Sequence, residues 1–204
     1  MKNKKTYLSF VIAITSLLLA APISSGPAFS QAPTDVNVNP EVGKDIFRHD
    51  TFGSEHFWGG QLRLHDAIQG AKFGGVGPGI TPNQALPLGL KVDLAVLPSI
   101  LVEAIKAGSV SLDAVDTTMA LLRADAVVGV KGFFDQTGRM KSVGITCAIC
   151  HSTVDDSLMY GIGLRLDGWP ARDLDIGRII ALAPNLGPYA RSIGKAKPKP
   201  GEYF

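Results

Sequence analysis

The chain is poor in cysteine. Its 204 residues hold two, so no disulfide framework of the kind that staples small exported domains is available. There is no second CxxC and no HxxxH to complete a four-ligand zinc site. Histidine is scarce as well, at four, and no serine–histidine–acid pattern for nucleophilic catalysis stands out. Four methionines occur, none beyond Met159. Apart from the amino-terminal end there is no long apolar run, and the chain shows neither an internal repeat nor sustained heptads, which excludes solenoids and coiled coils. The glycine-rich stretch AKFGGVGPGITP lacks the dinucleotide-binding spacing and the lysine–serine end of a P-loop, and no strand leads into it, so it reads as a loop.

Charge of one sign is also lacking. The formal +2 includes Lys2, Lys4 and Lys5 of a leader-like segment. In that segment MKNKK is a basic start and YLSFVIAITSLLLAA an apolar run. Ala28 and Ser30 supply small residues at the positions a signal peptidase reads. The expectation is a signal peptide over residues 1–30, an exported (periplasmic or secreted) remainder, and no stable membrane span after cleavage. Twenty basic residues less three leaves 17 against 18 acidic, a net charge of −1 that gives no case for nucleic-acid binding. The remaining stretch, about 174 residues, is one domain's worth, expected over 31–190. Residues 191–204, rich in Lys and Pro, read as a flexible tail.

Helix signals recur along this domain. Asn39 before Pro40 predicts a short helix over PEVGKDIFRH. A second is expected from Ser54 through SEHFWGGQLRLHDAIQG, with Phe57, Trp58, Leu62, Leu64 and Ile68 on one apolar arc. DLAVLPSILVEAIKAG and SLDAVDTTMALLRAD read as two more, the latter capped near Ser111 or Asp113, and ARDLDIGRIIALAP as a last one before Pro184. The β-branched runs around DQTG predict a hairpin, and VDDSLMYGIGLRLDGWP reads as a loop. The expected fold class is therefore mainly α with one β-hairpin.

Both cysteines fall in one motif, Cys147-Ala-Ile-Cys150-His151, directly after the hairpin. This spacing is the signature of covalent haem attachment. Thiols three apart on a helical turn share a side, so both can add across the vinyl groups of one porphyrin, and the next residue presents its imidazole to the iron. Export agrees with such attachment. A thiol–disulfide oxidoreductase would need a strand–CxxC–helix unit inside a βαβ fold; zinc would need a fourth ligand; a disulfide across so short a loop would stabilise little.

The segments GKDIFRHDTFGSEHFWGGQLRLHDAI, AVVGVKGFFDQTGRMKSVGITCAICHSTVDDS and GIGLRLDGWPARDLDIGRIIALAPNL resemble the first haem domain of exported bacterial cytochromes c. The longer members of that family are di-haem cytochromes related to the di-haem peroxidases. The resemblance runs from about Gly43 to Leu186 and implies a cytochrome c-like helical haem domain. It also implies one haem c held through Cys147 and Cys150, with His151 as proximal iron ligand. The longer relatives continue to a second CxxCH, which this chain does not have, and its ending differs from theirs. The implied activity is one-electron transfer with a redox partner protein or a small electron donor or acceptor. The alternative is a peroxidase-type haem oxidoreductase with an open distal site. With the chemistry of buried carboxylates, the resemblance suggests Arg165, Trp169 and Arg172 as donors to haem propionates, beside the plainer reading of surface arginines and a core tryptophan. For the distal position the candidates are His65, on the apolar arc of its helix, and Met140 and Met159. Asp155 and Asp156 read as turn-capping acids or, alternatively, as an acid–base or calcium pair, and His49 and His56 as exposed polar residues.

Overall fold

The computed structural model describes residues 39–194; the signal peptide expected over residues 1–30, and the part of the expected tail from 195 onward, lie outside them. The first helix, α1 (Pro40–His49), forms where the sequence places it. The Asn39 carboxamide accepts from the amides of Glu41 and Val42, and Pro40 stands at the first helical position, where a missing N–H costs nothing.

The expected second helix divides in two. Residues His56–Gln61 form a π-helix, Arg63 turns left-handed at φ 58°, and α2 (Leu64–Gln69) follows. The close approach of Gly59 to the hairpin accompanies this break. A side chain there would come within 1.8 Å of the Ser142 hydroxyl and 2.8 Å of the Val143 nitrogen. Past α3 (Pro82–Ala85) and the two-residue strand β1 (Val92–Asp93), α4 (Ser99–Lys106) and α5 (Val115–Arg123) are shorter than their sequence signals.

The hairpin consists of β2 (Val130–Phe134) and β3 (Met140–Ile145), antiparallel with Val130 opposite Ile145 and an irregularity at Phe133/Phe134. The one-turn helix α6 (Ala148–His151) follows it, then β4 (Ser152–Val154), β5 (Ile162–Gly163) and β6 (Arg165–Asp167). Two short helices, α7 (Ile176–Ala181) and α8 (Gly187–Ser192), close the described chain, so residues 191 and 192, read as tail, belong to a helix.

The expectation of a mainly α, cytochrome c-like helical domain is not met. Three α-helices among the described residues reach eight residues, and three two-stranded sheets stand beside them: β1–β5 parallel, β2–β3 and β4–β6 antiparallel. The segment read as a loop, 154–170, contributes β5, β6 and the end of β4. Its strands are two or three residues long, too short to show an alternating pattern. Two larger apolar clusters form the core. One gathers Leu62, Met119, Met140, Val143 and Leu186; the other gathers Leu86, Val92, Ile105, Leu121 and Ile162. No helix among the described residues is long and apolar enough to cross a membrane.

Candidate functional site

The CxxCH turn grows from the end of β3. The Thr146 amide donates to the Gly129 carbonyl at 3.0 Å, and the Thr146 hydroxyl accepts from the Ala148 amide at 3.3 Å, which starts the turn. Behind it, Gly129 has φ +75°, and a Cβ there would lie 2.2 Å from the Ile149 nitrogen. Only a glycine lets the turn sit this close. Ala148 and Ile149 are buried, Ala148 in a small cluster with Val128, Val154 and Phe47 of α1. Cys147, Cys150 and His151 are exposed, at positions i, i+3 and i+4 of one turn. Both thiols are free, and the His151 imidazole has no hydrogen-bond or ion-pair partner among the described residues.

The next segment caps the turn. The Gly168 amide donates to the His151 carbonyl at 2.8 Å and the Ala171 amide to the Cys150 carbonyl at 3.0 Å. These bonds satisfy carbonyls a one-turn helix leaves open. They also hold Trp169, 62% exposed, beside the motif. Arg172, one residue on, is exposed and forms no ion pair among the described residues.

Arg165 has a different setting from Arg172. Its side chain is 5% exposed, and its Nε donates to Asp167 Oδ1 at 2.7 Å. Asp167 is a hub. It also accepts from Ser152 Oγ at 2.7 Å and from Arg48 at 2.7 and 2.6 Å. It thereby joins α1, the residue after His151 and the residue before Gly168. Desolvation pushes the Asp167 carboxyl upward, but the bonds from Ser152 and Arg48 and the charge of Arg165 outweigh it and hold it below the usual carboxylate range. One Arg165 nitrogen, Nη2, and Asp93 Oδ2 are buried without partners.

The distal candidates lie elsewhere. Met140 is fully buried, with its amide and carbonyl both bonded to the Gln69 carboxamide at 3.1 Å. It stands at the hairpin-tip end of β3, whose other end leads into the motif, and five strand steps separate them by roughly 17 Å. His65 is mostly buried and lies 3.5 Å from Asp66 Oδ1. Its environment is set by Asp66, Arg63, Arg139 and the Gly59 backbone. Burial lowers its pKa, and Asp66 opposes this. Met159 is 40% exposed, on the segment following β4. Asp155 accepts from the amides of Ser157 and Leu164, and Asp156 from that of Gly161, so both hold turns. His56 is exposed, and His49 is half-buried, 4.0 Å from Asp45.

The competing readings of the motif find no support in this geometry. CxxC itself occupies a one-turn helix that runs directly into an antiparallel strand, not into the long helix of a βαβ oxidoreductase unit. No cluster of three or more His, Cys, Asp or Glu side chains among the described residues is arranged to hold a metal ion by itself. Two accessible free thiols with an unpartnered imidazole on the same face, on a turn anchored from behind, do fit a covalently attached haem. Gly129, Thr146, Ser152, Asp167 and Arg48 carry no motif. In the sequence, only the glycine between two valines before the hairpin hinted at a close approach. The chain matches no family model, no curated protein and no solved structure.

Proposed function

We propose that the protein is an exported, periplasmic or secreted c-type cytochrome that holds one haem through Cys147 and Cys150, with His151 as the axial ligand, and passes single electrons to and from a redox partner protein or small carrier. The supporting observation is the presentation of these three side chains together, exposed and unpartnered, on a turn whose other residues are buried. When bound, the haem supplies reversible one-electron iron chemistry. The protein's own part is attachment and orientation. The Gly168 and Ala171 amides hold the carbonyls of His151 and Cys150, Asp167 ties β6 to β4 and to α1, and Trp169 offers apolar cover. Arg172, exposed and unpaired, is the better candidate for a propionate partner. Arg165 is held by Asp167, which favours a bracing role.

A second reading, a peroxidase-type oxidoreductase with an open sixth position, is favoured by one observation. Met140 is fully buried in the core, with its backbone bonded to the Gln69 carboxamide, and so has no exposed surface to offer an iron.

The test is expression of the full chain with a haem-attachment system, followed by haem staining after denaturing electrophoresis. Covalent haem is expected in the wild type, with weaker retention in Cys147→Ala and Cys150→Ala. His151→Ala should keep both thioethers and lose the wild-type spectrum. A wild type without covalent haem overturns the proposal.

A further inference from the structure

The pairing of β4 with β6 sorts their side chains into two rows. Ser152 and Val154 are buried, and Arg165 and Asp167 turn to the same inner side, where Asp167 meets Ser152, Arg165 and Arg48. By strand alternation Thr153 and Leu166, which stand opposite each other, take the outer face. Two more backbone bonds prolong this ladder at its ends. The Gly168 amide donates to the His151 carbonyl at 2.8 Å, and the Asp155 amide donates to the Leu164 carbonyl at 3.0 Å. The outer row on the β6 side therefore reads Leu164, Leu166, Gly168, and both leucines are exposed. His151, itself exposed, stands at the Gly168 end of this row.

Gly168 brings no side chain, and nothing lies within 4 Å of where its Cβ would be. The first side chain of the outer row beside His151 is then that of Leu166, its diagonal neighbour. Such neighbours are about 7–8 Å apart, within reach of long side chains. We infer that Leu166 is a positioning residue for His151, whose isobutyl group borders the imidazole and keeps water from the iron ligand. The inference rests on the haem reading of the motif and deepens it by naming the residue that sets solvent access beside the axial histidine. An exposed leucine elsewhere on the surface would need no account, and its place in this row is what gives it one. An apolar shell around a metal ligand limits water and lowers the local dielectric, which moves the reduction potential. Ferric haem carries one more positive charge than ferrous haem. Loss of the cover therefore favours the ferric state and lowers the potential.

The test is a potentiometric titration of the full chain matured with haem, wild type beside Leu166→Asn, Leu166→Ala and Leu166→Ile. Leu166→Asn should shift the midpoint potential downward, Leu166→Ala should shift it the same way by less, and Leu166→Ile should restore the wild-type value. Ile100→Asn, at an 80% exposed leucine-sized residue of α4, is the control and should leave the potential unchanged. If Leu166→Asn does not mature, the pair Leu166→Ala and Leu166→Ile decides the case. An unchanged potential in Leu166→Asn and Leu166→Ala overturns the inference and leaves the haem reading intact. So does an equal shift in Ile100→Asn, or a failure of Leu166→Ile to restore the value. A wild type that carries no covalent haem on a denaturing gel overturns the haem reading itself, and this inference with it.

Discussion

Gly129 shows how a single residue without chemistry can set a site. Its φ of +75° costs any other residue about 1–3 kcal/mol, and the Ile149 backbone stands where a side chain would go. Gly168 provides the comparison. Its φ is +83°, its amide also holds the motif, and nothing lies within 4 Å of where its Cβ would be. Gly168→Ala should therefore cost only the backbone strain. Gly129→Ala adds a backbone clash that nothing flexible can relieve, so the CxxCH turn must move. The expected result is a denaturation midpoint clearly lower for Gly129→Ala than for Gly168→Ala, with a matching fall in covalent haem yield. Equal behaviour of the two variants would mean that the close packing on Ile149 does not position the turn.

At the scale of elements, α1, β4 and β6 are joined to the motif through one carboxylate. Asp167 has a depressed pKa, so its contribution to stability is present above the ordinary aspartate value of about 3.9 and is lost as pH falls through the lower folded value. Asp167→Asn should weaken the fold at neutral pH by about 1–3 kcal/mol, less than a fully buried pair because a quarter of the side chain is exposed. It should also flatten the acid limb of the stability curve below about pH 4. Urea unfolding at several pH values reads both effects, and a variant with the wild-type acid slope would remove Asp167 from its hub role. This network was not legible in the sequence, because Arg48 and Asp167 meet across 119 positions and each alone looks like a surface charge. What was legible is local: the Asn39–Pro40 helix start, the hairpin around DQTG and the CxxCH spacing. The mainly α expectation failed where tertiary contacts override local pattern. The π-helix breaks at Arg63 as Gly59 packs on β3, and the short strands after the motif exist only because β4 finds β6 and β1 finds β5.

For the whole molecule, the two readings proposed above, electron carrier and peroxidase, differ in which side chain, if any, the fold would bring to the sixth iron position. Met140 sits at the tip end of β3 with no exposed surface, and its backbone is paired to Gln69. Met140→Ala should therefore cost about 2–5 kcal/mol of stability, as core truncations do, without altering the haem spectrum. His65, enclosed by Asp66, Arg63, Arg139 and Gly59, should likewise leave the spectrum unchanged when replaced by alanine. Met159 is the remaining candidate, half-exposed on the segment after β4, and replacing it by leucine should perturb stability by no more than about 0.5 kcal/mol. The ferric spectra of the three variants separate the cases. Loss of a methionine-to-iron charge-transfer band in Met159→Leu alone gives a six-coordinate electron carrier. Absence of that band in the wild type, with rapid binding of cyanide and peroxide, gives the open site and the peroxidase reading. Conversion to high-spin iron in His65→Ala alone would instead make His65 of α2 the sixth ligand and give a bis-histidine electron carrier.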